Sequence, residues 1–251
     1  MELDVQNYVR TLALRSPDHV RVGPFTVRYN PNWPIPPANY AVPDHDAAPT
    51  PEEIDALIAV FRERDRVPRL EFLPSCAPEV EPALLAAGFA VTGRAPLLAC
   101  SPGDLRMPPA AAGITMGEPS DLAGYTAAAG VQHLAYGDTG GPTEGEIAWL
   151  RGANENGGVA VLATDGTDGT PVGAGGCSVP VDGLTELCGL AVAASHRRRG
   201  IGAALSAYLT AAAFDRGCRV VWLEPGDADV ERIYAGIGYR RVGDKADMTL
   251  A

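Results

Sequence analysis

The junction around residue 200 constrains this chain more than any other stretch. Residues 184–192 read as a strand and residues 201–216 as a long helix, and between them stands His196-Arg197-Arg198-Arg199-Gly200-Ile201-Gly202. A helix begins with amides that have no partner inside it, and its dipole adds partial positive charge at that end. Glycine lets a ligand approach the backbone closely, and arginines at the mouth supply further charge. The junction is an anion site of the kind that holds a pyrophosphate. Two other phosphate signatures are excluded. A P-loop ends in Gly-Lys-Ser/Thr, and this loop has no lysine. The dinucleotide fingerprint needs a glycine or alanine at position 205, where Leu205 stands.

The elements around the junction follow from turn and cap signals. Pro108, Pro109, three alanines and Gly113 read as a linker. Residues 114–116 fit a short strand. Ser120 is placed to cap a helix reaching Tyr136, the glycine-rich residues 137–142 break it, and Thr143 caps a second helix to about Arg151. Strands are expected over 158–164 and 171–181, and a third over 184–192 after the turn Asp182-Gly183. Gly217 ends the helix 201–216. A strand over 219–223, a helix over 228–236 and two closing strands, 239–242 and 246–250, complete the order ααβββαβαββ after the opening strand.

The loop resembles the acetyl-CoA signature, Arg-x-x-Gly-x-Gly/Ala, of the GCN5-related N-acetyltransferases (GNAT). The element order over residues 114–250 is similar to that family's fold. The run Ile233-Tyr234-Ala235-Gly236-Ile237-Gly238-Tyr239 resembles its Leu-Tyr-x-x-x-Gly-Phe ending. The resemblance implies an α/β (α+β) GNAT acyl-CoA N-acyltransferase fold, with a central mixed twisted sheet flanked by helices and a catalytic domain over 112–251. It implies acetyl-CoA as co-substrate, no metal, and transfer of an acetyl group to an amine by direct attack in a ternary complex. Carried over by position, the backbone of Leu190, Ala191 and Val192 pairs with the pantetheine arm. Arg197, Arg198, Arg199, Gly200, Ile201, Gly202 and Ala203 hold the pyrophosphate. Tyr234 lies near the thioester sulfur, and Glu186, eleven residues before Arg197, stands where one branch of the family carries its base. Ala194 replaces a frequent proline, and Asp227 a frequent asparagine; an aspartate caps a helix as well.

The chemistry asks for such a set. A protonated amine must lose a proton before it attacks, and a carboxylate of raised pKa can take it. The oxyanion needs a donor, for which a strand amide near Leu190 is placed. The leaving thiolate needs an acid, and a phenol at Tyr234 can serve. Strand alternation puts Glu186, Cys188, Leu190 and Val192 on one face. His133, Tyr136 and Trp149 lie on the helices that line the acceptor groove in the resembled fold and read as packing residues. Cys188 reads as a small buried hydrophobe. Two other activities fit the same fold: a non-catalytic acyl-CoA sensor or scaffold, and transfer to a hydroxyl or from a carrier-bound acyl chain.

Residues 1–105 lack the loop yet echo the second half at a constant offset of 150. Ala41-Val42, Asp65-Arg66, Arg69, Leu73, Val80, Glu81, Gly88 and Gly93 match Ala191-Val192, Asp215-Arg216, Arg219, Leu223, Val230, Glu231, Gly238 and Gly243. Thr50-Pro51-Glu52-Glu53 is a helix start at the place of the CoA-binding helix. Ala47, Thr50 and Glu52 stand opposite Arg197 and the two glycines. An acidic turn repels a pyrophosphate, so this half is expected to be a degenerate GNAT-like repeat, in tandem with the second, without a CoA site.

Composition narrows the partners. A formal net charge of -11 disfavours nucleic acid and favours cationic small molecules or basic peptides. Five cysteines without metal-ligand spacing suit a reducing compartment, so a cytoplasmic protein is expected. The opening residues lack the apolar core of a signal peptide, and the apolar stretch 201–214 is too short to span a bilayer. No membrane partner is expected. The acceptor is expected to be a small-molecule amine, and a homodimer is compatible with the resemblance.

Overall fold

The structure, a computed structural model, describes residues 1–31 and 35–251. Two compact units divide the chain: Met1–Leu97 with Arg241–Ala251, and Leu98–Arg240.

The first unit runs α1 (Glu2–Arg15), β1 (His19–Val22), β2 (Phe25–Arg28), β3 (Tyr40–Pro43), α2 (Pro51–Arg62), β4 (Arg69–Phe72), α3 (Val80–Ala86) and strand β5 (Ala90–Cys100), which leaves the unit after Leu97. The strands β1, β2 and β3 form an antiparallel meander, and β3 pairs with β4 in parallel. Alternation along β4 turns Leu70 and Phe72 into the core with Ile54, Leu57 and Phe61 of α2. Helix α2 starts at a capping box: the Thr50 hydroxyl accepts from Glu53 N–H, and the Glu53 carboxylate accepts from Thr50 N–H.

The second unit runs β6 (Ile114–Gly117), α4 (Leu122–Ala135), α5 (Glu144–Glu155), β7 (Val159–Asp165), β8 (Pro171–Cys177), β9 (Leu184–Val192), α6 (Ile201–Asp215), β10 (Val220–Leu223) and α7 (Ala228–Gly236). Strands β6 to β9 are antiparallel neighbours in chain order, and β9 pairs with β10 in parallel. The sheet is mixed, as expected. One face packs on α4 and α5 through Ala160, Ala174 and Ala191. The other packs on α6, where Leu205 and Leu209 meet Val159, Val161, Cys177 and Leu187. Each of these fully buried leucines contributes roughly 2 kcal/mol of transfer free energy. Among the described residues no helix is long and apolar enough to cross a membrane.

Three expectations change. The closing strands 239–242 and 246–250 are one strand, β11 (Arg240–Thr249). The strand runs unbroken through residues 243–245, and its ladder on β4 extends from Ala246↔Phe72 to Thr249↔Arg69. That pairing also changes the domain limits from the expected 1–105 and 112–251. Residues 241–251 belong with the first unit, whereas Leu98, Ala99 and Cys100 pair with β10 in the second. Hydrogen-bonded partners, not linker composition, set these limits. Finally, the helix expected from Ser120 is capped one residue later, by Asp121, whose carboxylate accepts from Gly124 N–H at 2.8 Å.

Candidate active site

The parallel pair β9–β10 opens at one end. Its register ends at Glu186↔Trp222, while β9 runs on to Val192. A cleft of about 680 Å³ lies at this opening. Its walls are the last residues of β9, the loop beginning at His196, the first turn of α6, the residues after β10 and one side of α7.

The open stretch of β9 is also bulged. Pairing with β8 jumps from Gly176↔Cys188 to Ala174↔Ala191, so Gly189 and Leu190 share one opposite residue, Gly175. Gly189 takes φ +63°, a left-handed conformation that glycine adopts without penalty. The extra residue reverses the alternation beyond it. Leu187 and Leu190 pack on the α6 side, whereas Ala191 packs against α4. The single face expected for Glu186, Cys188, Leu190 and Val192 does not exist, because strict alternation fails at a bulge.

Gln132 of α4 and Tyr136, which caps its C-terminus one turn on, reach the bulge. Gln132 Nε2 donates to the Gly189 carbonyl at 2.6 Å, and the Tyr136 hydroxyl donates to the Leu190 carbonyl at 3.5 Å. At the end of β9, Arg197 Nε donates to the Val192 carbonyl at 3.2 Å. His196 is held by Ser195 Oγ at 2.9 Å and by Asp165 Oδ2 at 3.3 Å. Hydrogen bonds from Thr167, with a further contribution from His196, hold the Asp165 carboxyl at about 2.

Beyond this turn the loop curls through left-handed residues at Arg198 (φ +65°) and Gly200 (φ +78°). A Cβ on Gly200 would meet nothing within 4 Å, so the hand of the backbone, not crowding, calls for glycine there. No side chain caps α6. Its first ladder bond runs from Ala204 N–H to Gly200 C=O, which leaves the preceding amides outside the helical ladder. These features fit the anion site expected from the sequence.

Arg197, Arg198, Gly200, Ile201, Gly202 and Ala203 line the cleft with Leu190, Val192 and Tyr234. Three expected residues do not line it. Ala191 turns its side chain toward α4, Arg199 points outside, and Glu186 sits where β9 is still paired. Tyr234 is 5% exposed, and its ring stands edge-on to Tyr239 at 5.5 Å. Burial pushes its phenol up to about 12, and a hydrogen bond with Ser206 partly offsets this. Burial also pushes the Cys188 thiol far up, so it stays protonated and is no thiolate nucleophile. Asp227 caps α7, accepting from Asp229 and Val230 N–H at 2.8 Å each.

Sequence reasoning missed Gln132 and Glu224. Glu224 follows β10 directly and lines the cleft. Its signal is position: ligands of α/β sheets gather beyond the carboxyl ends of parallel strands. Tyr136, read as packing, lines the cleft and is exposed. His133 instead is held locally, where Nδ1 donates to Glu146 Oε1 at 3.0 Å and Nε2 donates to the Thr139 carbonyl at 3.2 Å.

The corresponding place in the first unit is closed. The capping box of α2 takes the Glu53 N–H, Pro51 has no N–H to offer, and two acidic residues follow Pro51. Asp44, after β3, is bound by Arg21 at 2.6 Å and Arg10 at 2.8 Å.

Comparison with known proteins agrees with this geometry. Residues 130–239 match the family model of the Acetyltransferase (GNAT) family, so the second unit carries a GNAT domain. A GCN5-related N-acetyltransferase from Kribbella flavida superposes with a TM-score of 0.82 at 27% identity, covering 99% of this chain and 95% of that one. A tandem GNAT protein from the clavulanic acid biosynthesis pathway shares the fold at 14% identity, with a TM-score of 0.63 over 97% of this chain and 86% of that one. A GCN5-related N-acetyltransferase from Sphaerobacter thermophilus does so at 14% identity, with a TM-score of 0.64 over 90% and 76%. No curated protein sequence matches the chain.

Proposed function

We propose that the second unit transfers an acetyl group from acetyl-CoA to the amine of a small cationic acceptor by direct attack. The observation that carries this reading is the continuity of the cleft. One wall holds an uncapped helix start with two left-handed residues, and the same cleft reaches the broken ladder of β9 and the Tyr234 phenol. In this reading the first-turn amides of α6 and Arg197 hold the pyrophosphate, and the free edge of β9 takes the pantetheine arm. A protonated thiol at Cys188 supports direct attack over a covalent acyl-enzyme.

The proton of the attacking ammonium goes to a carboxylate. Glu224 lines the cleft and Glu186 does not, so we assign this role to Glu224 in place of Glu186. Tyr234 acts on the departing sulfur as a hydrogen-bond donor. A phenol near 12 is a weaker acid than an ordinary thiol near 8.5, so complete proton transfer to the thiolate is uphill by roughly 5 kcal/mol. The first unit serves as a degenerate repeat without a CoA site. The formal charge of -11 supports a cationic acceptor.

The test is release of CoA thiol on incubation with acetyl-CoA and a panel of polyamines, aminoglycoside-like amines and basic peptides. Release that depends on one amine class supports the reading. Glu224→Gln should cost about 100-fold in kcat and abolish the acid limb of the pH profile, with Glu186→Gln within threefold of the unaltered protein. Release no faster than background hydrolysis would identify an acyl-CoA sensor.

A further inference from the structure

We infer that Gln132 is a positioning residue that aims the oxyanion-binding amide of the cleft; this rests on the acetyltransferase reading above. The Gly189 carbonyl and the Leu190 N–H belong to one peptide unit. That unit is planar and trans, so the two groups point in opposite directions. Gln132 Nε2 grips the Gly189 oxygen at 2.6 Å from the α4 side. The Leu190 N–H is thereby directed away from α4, at a place where the ladder to β8 is broken and β10 has already parted. An amide freed from its ladder and fixed in direction is what a developing oxyanion requires.

The fit is tight and asymmetric. A Cβ on residue 189 would lie 2.4 Å from Gln132 Nε2, so only glycine admits this approach. Tyr136, four residues on at the C-cap of α4, holds the next carbonyl at 3.5 Å. The two contacts clamp the peptides on either side of Leu190 Cα. Without Gln132 the left-handed Gly189 is the freest joint in the strand, and the amide direction spreads.

The experiment uses the full chain with acetyl-CoA labelled at the thioester carbonyl. Its carbonyl stretch is recorded by infrared difference spectroscopy for the unaltered protein, Gln132→Met and Gln132→Lys. Met keeps the length and loses the donor; Lys restores a donor. Unfolding temperature is checked for each. The expected result is a downward carbonyl shift on binding to the unaltered protein that is lost in Gln132→Met and regained in part in Gln132→Lys. With an accepted amine, kcat of Gln132→Met falls about 30-fold while KM for acetyl-CoA stays within about twofold. A carbonyl shift identical in the unaltered and Met proteins overturns the positioning role alone. Absence of acetyl-CoA binding to the unaltered protein overturns the acetyltransferase reading and this inference with it.

Discussion

Tyr234 shows how a single environment sets a role. Its ring is buried in the second unit's core with Leu205 and Leu209 of α6, Ile237 and Tyr239, and burial raises the phenol to about 12. At neutral pH it keeps its proton, so it can donate a hydrogen bond to sulfur through the whole reaction. Tyr234→Phe should lower kcat about tenfold and leave KM for acetyl-CoA nearly unchanged, because the ring contact with Tyr239 is retained. Steady-state kinetics decide it; equal turnover would reduce Tyr234 to a packing residue. At this scale the pyrophosphate loop was legible, because its chemistry demands glycine and arginine at fixed spacing. Gln132 and Glu224 were not, because a lone glutamine or glutamate carries no local pattern and gains meaning only from what the fold brings beside it.

The element scale shows why. Helices α5, α6 and α7 and strands β7 and β9 fall within a few residues of the expected bounds, since caps and glycine stops are local signals. The bulge in β9 is a property of a pair of strands, and Gly189 within an apolar run was its one trace in the sequence. The α4–α5 connection carries a further consequence. His133, 8% exposed, is hydrogen-bonded to Glu146 at 3.0 Å and to the Thr139 carbonyl, with the Asp138 carboxylate at 4.0 Å. These contacts, Glu146 first, raise its pKa above the ordinary 6.5. A raised histidine contributes stability that is fully present below the unfolded value and is lost as pH rises through the folded one. Amide exchange at residues 137–142, corrected for its intrinsic pH dependence, should therefore lose protection as pH climbs from 6 to 9. His133→Gln should flatten that trend; an unchanged trend would remove His133 from the clasp.

Across the whole molecule the same element order occurs twice. The sequence β1-β2-β3-α2-β4-α3-β5 is answered by β7-β8-β9-α6-β10-α7-β11, and the offset of 150 reappears where α2 starts at Pro51 and α6 at Ile201, and where β5 starts at Ala90 and β11 at Arg240. That offset was legible in scattered identities, but the limits of the units were not, because β5 and β11 are assigned by their ladders. The two helix starts divide the chemistry. Glu52 stands in α2 where Gly202 stands in α6, so one start is acidic and capped and the other open. Under the proposed function only the open start binds the donor. Calorimetric titration with acetyl-CoA, on the unaltered protein and on Gly202→Glu, tests it most directly. A Cβ at 202 has ordinary room, 3.9 Å from Val192, and a carboxylate suits a helix start, so the variant should fold. One site per chain is expected, with Kd on the order of micromolar, lost in Gly202→Glu at an unchanged unfolding temperature. Two sites, no binding, or binding that survives the substitution would contradict it.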